Sequence, residues 1–184
     1  MSKSATHIVM HLAAAALLAS LLGCAPAPIY KTSPDTVKAT PGQVARTPER
    51  FQNAPVIWGG TVVKVSNFSD HSEIEMLAYP LDSSQRPRLG KDKGIGRFIA
   101  MMPGYVEPLD YPPGSPMTFS GHINGVRSST VGKAPYVFPL VSVIRHHAWT
   151  AEEMRSGHPH VSFGLGVGFG SGGYRGGGVG IGVH

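Results

Sequence analysis

Met117-Thr118-Phe119-Ser120-Gly121-His122-Ile123-Asn124-Gly125 sets Met, Phe, Gly, Ile and Gly against Thr, Ser, His and Asn in strict alternation. Successive side chains of a strand point to opposite faces, so a period of two predicts a β-strand with one face buried and the other wet. Four further segments lie around it, separated by Gly, Pro, Asn and Asp. Val56–Phe68 carries Gly59-Gly60, the mark of a bulge or sharp bend, and places Val63 and Val65 on one face. Glu73–Leu81 sets Ile74, Met76 and Ala78 against Glu73 and Glu75, and Arg97–Met102 is a short third strand. Tyr136–Ile144 contains Pro139, which has no N–H for a ladder and so points to an edge or a bulge. The expected domain, residues 55–149, is therefore all-β: a small five-stranded antiparallel OB-like barrel, whose closure would remove exposed edges, with a small open sandwich as the alternative.

The rest of the chain is sparse in core-forming sequence. Its 184 residues carry a net charge of +5, only 15% charged residues, 24 Gly, 16 Pro and one Cys, which fits one modest domain with flanking segments and excludes a large multidomain enzyme. One Cys also excludes an internal disulfide framework and any multi-thiolate zinc or iron–sulfur site.

The lone Cys ends an export signal. Lys3 is the only charge before Cys24, and Ile8–Leu22 is an apolar run broken only by His11 and Ser20, shorter than the roughly 18–20 residues needed to cross a bilayer. Residues 1–23 are thus expected to be a signal peptide. Leu21-Leu22-Gly23-Cys24 resembles a bacterial lipobox. That resemblance implies a diacylglyceryl group on the Cys24 thiol, cleavage before it and acylation of the new amine, with no other cofactor. At about 0.8 kcal/mol per buried CH₂, several acyl chains anchor a protein stably without a membrane span. Ala25 is not the Asp that retains lipoproteins at the inner membrane, so the implied location is the outer membrane, on its periplasmic face. Residues 24–54 hold Pro26, Pro28, Pro34, Pro41 and Pro48 and are expected to form an extended tether, with a helical turn at Pro48–Gln52.

Residues 150–184 are expected to be a linker and a Gly-rich low-complexity tail, because eleven glycines lie between Val161 and His184. They alternate at first with Phe163, Leu165, Val167 and Phe169, which leaves a flexible tail and a single hairpin or added strand as the two options.

Trp58-Gly59-Gly60, Ile74-Glu75, Tyr79-Pro80-Leu81-Asp82 with Arg86-Pro87, Gly96-Arg97-Phe98, Gly104-Tyr105 with Glu107-Pro108, Gly121-x-Ile123-x-Gly125, and Pro135-Tyr136 with Pro139 together resemble the Slp-type outer-membrane lipoproteins. The resemblance implies a starvation- or stress-associated lipoprotein of the Gram-negative envelope, without enzymatic activity.

The residues themselves offer little catalytic chemistry. Asp82 and Arg86, with Arg88 and Lys91-Asp92-Lys93, form a charged loop of mixed sign without a paired acid and base, and read as a solvated loop holding a local Asp–Arg pair. Gly114-Ser115-Pro116 lacks the frame of a nucleophile elbow. His146-His147 with His158 and His160 could converge on a metal, but adjacent strand histidines point to opposite faces and the spacing is not diagnostic, so exposed polar histidines are the simpler expectation. No basic run with interleaved aromatics points to nucleic acid. The leading expectation is a structural or interaction lipoprotein that meets outer-membrane lipid through its anchor and an envelope protein or polysaccharide through its β-domain. A periplasmic small-ligand or metal-binding module using the barrel mouth and the histidines is the alternative.

Overall fold

The computed structural model describes residues 27–90, 92–156, 161–166 and 178–183. Leu21, Leu22, Gly23, Cys24, His158 and His160 lie outside them, as does the centre of the Gly-rich tail. Strands β1 (Pro55–Asn67), β2 (His71–Tyr79), β3 (Gly96–Pro103), β4 (Pro116–Val131) and β5 (Ala134–Ala148) close a barrel in the order β1-β2-β3-β5-β4. Four of the five contacts are antiparallel; the fifth, β3 against β5, is parallel over Ile99–Met101 and Leu140–Ser142. The expectation of a purely antiparallel barrel is corrected here, and the reason is parity. Directions cannot alternate all the way round a closed ring with an odd number of strands, so at least one pair must run parallel. The protein places it where β5, folding back from β4, closes on β3.

The alternation that predicts β4 fills the interior. Met117, Phe119 and Ile123 are fully buried, as are Ile74, Met76 and Phe98 from β2 and β3. Phe98 lies 5.3 Å from Trp58 and meets Phe119 edge to face at 6.1 Å, a favoured aromatic geometry. The barrel axis is thus packed with side chains, as expected for so few strands.

Two glycine positions permit this tight ring. A Cβ on Gly60 would collide with the Leu77 carbonyl of β2, and one on Gly121 with the Ser142 carbonyl of β5. Gly59-Gly60 is therefore a close approach between strands, and the β1 bulge falls further on, between Val62 and Lys64. The extra residue is Val63, so Val62 rather than Val63 joins Val65 on the core side. In β4 the register shifts between Ile123 and Val126, where Gly125 takes φ +79° and Pro139 stands opposite Val126; the bulge expected at Pro139 is present.

The segment upstream of β1 is no extended tether from Tyr30 onward. Val37 bridges to Val56, and Pro41–Arg46 forms a short helix, α1, followed by a 3-10 turn at Pro48–Phe51. Thr40 and Gln43 form a reciprocal cap, with Gln43 N–H donating to Thr40 Oγ1 at 3.2 Å and Thr40 N–H to Gln43 Oε1 at 2.8 Å. Pro41 sits at the start, where its missing N–H costs nothing. Prolines that read as breakers thus serve as helix starters. Val44 is fully buried in the core cluster, and Trp58 Nε1–H donates to the Ala39 carbonyl at 3.0 Å.

Beyond the barrel, α2 (Ala151–Ser156) is capped by Thr150 and Glu153, whose side chains each accept the other's N–H. Strands β6 (Val161–Gly166) and β7 (Gly178–Val183) pair antiparallel as a separate two-stranded sheet. Among the described residues this pairing corresponds to the hairpin, one of the two options the sequence offers. Its register sets Phe163 against Ile181 and Leu165 against Val179, with Gly164 against Gly180.

Candidate functional site

On the outside of β2 and β3 lies a groove of about 200 Å³, lipped by Phe68 of the β1–β2 turn and floored by Glu73, Glu75 and Ile99. Its opposite wall is the distal part of the β4–β5 hairpin, which the Gly125 bulge turns away from the rest of β4. Two contacts hold this arm down. Arg127 Nη1–H and Nη2–H donate to the two oxygens of Glu73 at 2.7 Å each, and the Arg97 N–H donates to Tyr136 Oη at 2.7 Å. A planar guanidinium matched to a carboxylate in this way is a strong, oriented pair.

The charges in the groove are balanced. Arg97 donates to Glu75 at 2.6 Å, and Lys64 stands 3.8 Å from the second Glu75 oxygen. His71 links Asp70 Oδ1 at 2.7 Å to Glu73 Oε1 at 3.3 Å, and its ring stacks on Phe68 with centroids 4.8 Å apart. Arg127 foremost, then His71, holds the Glu73 carboxyl below its ordinary range against the opposing effect of burial. Asp70 and then Glu73 raise the His71 pKa. Phe68 is 52% exposed and offers an aromatic face at the lip.

Of the predicted motif residues, Arg97 and Tyr136 belong to the groove and its arm, while Pro80, Leu81, Asp82, Arg86 and Pro87 gather elsewhere. Leu81 bridges to Pro87, and inside that loop Asp82 Oδ1 accepts from the N–H groups of Ser84 at 2.9 Å and Arg86 at 3.0 Å. Arg86 Nε–H donates to Asp82 Oδ2 at 2.9 Å, and its Nη1 donates to the carbonyls of Glu153 and Met154 at 2.8 and 2.9 Å, near the end of α2. The expected Asp–Arg pair exists, but each side chain is more than three-quarters covered, so the pair clamps α2 rather than lying in a solvated loop. Gly96 packs against α1, and Pro80 leads into the loop from β2. Pro135 and Tyr136 lie on the arm.

The same loop receives the N-terminal segment. Tyr30, 6% exposed, donates its N–H to Gln85 Oε1 and accepts at its carbonyl from Gln85 Nε2, both at 2.8 Å. Thr118 Oγ1–H donates to the Gln85 carbonyl at 2.7 Å, and Trp149 Nε1–H donates to Thr118 Oγ1 at 2.9 Å. The Arg145 guanidinium stands 5.2 Å over the Tyr30 ring, and burial pushes the Tyr30 phenol up to about 12. Sequence reading missed Tyr30, Gln85 and Thr118 because each looks like an ordinary polar or flanking residue; Thr118, on the outward side of β4 yet fully buried, is legible only once its cover is seen.

His146 and His147 take opposite sides of β5, as alternation predicts: His146 is exposed, 3.4 Å from Tyr111 Oη, and His147 is buried with Nε2 3.3 Å from Glu153 Oε1. Among the described residues no group of three or more His, Cys, Asp or Glu gathers to hold a metal.

The model of the outer membrane lipoprotein Slp family matches residues 21–173. The chain belongs to this family. It is 33% identical over 125 residues to the uncharacterized lipoprotein YeaY of Escherichia coli K12, a match covering 64% of each chain. It is 29% identical over 97 residues to the outer membrane protein Slp of the same organism, covering 53% of this chain and 50% of that one. An uncharacterized Haemophilus influenzae protein is 27% identical over 92 residues, covering 50% of each. The chain thus spans between half and just under two-thirds of the length of the curated relatives it matches. The matched span includes residues 21–24, the barrel and the Asp82–Arg86 loop.

Proposed function

We propose that this protein is a non-catalytic, starvation- or stress-associated lipoprotein, acylated at Cys24 and held on the periplasmic face of the outer membrane, whose OB-like barrel binds an envelope polysaccharide in the groove between β2–β3 and the β4–β5 arm. The observation that carries the ligand is the balance of that groove: Glu73 and Glu75 are matched by Arg127, Arg97 and Lys64, with Phe68 exposed at the lip. A polyanion would meet the two carboxylates, and an apolar peptide would strand the ion pairs. A neutral polyhydroxylated chain can accept from the guanidinium groups, donate to the carboxylates and lay a sugar face on Phe68. The strand order and the position of the groove support the reading by analogy, since OB-type barrels bind oligosaccharides and oligonucleotides on strands 2 and 3 and on the β1–β2 and β4–β5 loops.

The packed interior speaks against a ligand in the barrel mouth, because Phe98, Phe119 and Met76 fill it. The family match from residue 21 supports anchoring at Cys24. The test titrates glycan fragments of the envelope into a Cys24→Ser chain and follows backbone amide shifts. Shifts confined to β2, β3 and the arm, lost in Phe68→Ala, are expected; no saturable shift there would overturn the polysaccharide reading. The intact mass of membrane-extracted protein, compared with Cys24→Ser, tests the anchor.

A further inference from the structure

We propose that the barrel rests on the phospholipid headgroups by the side that carries Tyr30, the Leu81–Leu89 loop and α2, so that the β2–β3 groove faces away from the lipid; this rests on the acylation of Cys24. Three observations carry it.

The first is reach. Six residue steps separate Cys24 from Tyr30, and an extended chain spans at most about 3.3–3.6 Å per residue, so an acylated Cys24 lies within about 20 Å of Tyr30. Tyr30 is not itself free to swing. It is buried and pinned through both backbone polar groups to Gln85.

The second is the ring order. Tyr30 and Gln85 cover the outer face of β4 at Thr118, and Arg145 of β5 lies over the Tyr30 ring. In a five-membered ring ordered β1-β2-β3-β5-β4, the strand opposite the β2–β3 edge is β4, and Tyr30 covers it at Thr118, ahead of the Gly125 bulge beyond which the rest of β4 crosses to wall the groove. The leash and the groove therefore occupy opposite sides of the barrel, separated by the packed interior.

The third is the chemistry of the leash side. Lys31 follows Tyr30 and is exposed, Arg145 is exposed above the ring, and beside it the β5 bulge leaves Ile144 62% exposed. Cations flanking an exposed apolar side chain suit the boundary between headgroup and acyl chain of a membrane with anionic lipid.

The experiment uses the full, acylated chain on vesicles of phosphatidylethanolamine and phosphatidylglycerol doped with a headgroup-spin-labelled lipid. Acylation blocks Cys24, so Ser83→Cys on the leash-side loop or Lys133→Cys at the tip of the arm supplies the single thiol for a fluorophore. The expected result is quenching several-fold stronger at position 83 than at 133. Equal quenching, or stronger quenching at 133, in protein that floats with the vesicles overturns the orientation while leaving the anchor intact. Protein that does not float lacks the anchor, which overturns the acylation reading and the orientation with it.

Discussion

Replacing Arg127 by Ala tests whether the groove wall is held by the pair described above. Arg127 makes two 2.7 Å bonds to Glu73, whose side chain is 8% exposed, while Arg127 itself is 42% exposed. Stranding a fully buried carboxylate costs about 3–5 kcal/mol. Here the cost is smaller, because the guanidinium side is open to water and His71 stays 3.3 Å from Glu73 Oε1 as a second partner; about 1–2 kcal/mol is the expected loss. With a urea slope of about 2 kcal/mol per molar, the unfolding midpoint falls by about 0.5–1 M. Arg127→Lys recovers only part of the loss, since an ammonium is a point charge without the planar fork. Amide exchange separates this local event from a general weakening: protection should fall first along Val126–Phe138 and little in Ile74–Ala78. If Arg127→Ala unfolds within about 0.3 kcal/mol of the parent and the arm amides keep their protection, the arm is held by something else and the groove geometry argued from this pair is wrong.

Acidity should loosen the same arm, and alkalinity should weaken the β1–β2 turn beside it. The folded Glu73 pKa is depressed, so its contribution is present above the ordinary value of about 4.3 and is lost as pH falls through the depressed one. The folded His71 pKa is raised by Asp70 and Glu73, so its contribution is full below about 6.5 and is lost as pH rises through the raised one; overall unfolding stability should peak between roughly pH 4.5 and 6.5, and a flat profile would contradict both assignments. Val44→Ala should cost about 2 kcal/mol in urea unfolding by removing buried methyls and leaving a cavity, whereas a residue in a solvated tether would give no change. Gly60→Ala should fail to yield folded protein, since the new methyl meets backbone of β2 rather than a movable side chain, and a native amide spectrum for it would contradict the strand spacing. Arg86→Ala should detach α2, seen as faster exchange at Met154 with little change in the core strands; retained protection there would show that α2 docks without the clamp.

The five strands were legible because alternation reports a face directly: Met117, Phe119 and Ile123, and again Ile74, Met76 and Ala78, are buried as their period demands. Failures fell where a local signal has two physical meanings. Proline upstream of β1 locally signals an extended chain, yet Pro41 begins a capped helix and Val44 enters the core, which the apolar Val37 and Val44 hint at only weakly. Alternation alone sets Val63 on the core face because a bulge leaves no mark in composition, and one extra residue exchanges faces for everything beyond it.

The site was hidden for a related reason. Alternation sets Glu73 on the outer face of β2, where a lone carboxylate looks merely solvated, and its partner lies 54 residues away on a part of β4 that the alternation ending at Gly125 does not reveal. Gly125 reads locally as the end of a strand. In the folded chain its positive φ continues the strand in a new direction, and that turn carries Arg127 across to Glu73. The same residue therefore sets the limit of what the sequence pattern could show and creates the wall of the groove. A Gly125→Ala chain, strained at φ +79°, should lose arm protection while keeping the β1–β2 pairing, because the strain acts only where the hairpin leaves the barrel. Loss of both together would mean that arm and barrel form one cooperative unit, and the groove could not then open for a ligand without unfolding the wall it is built on.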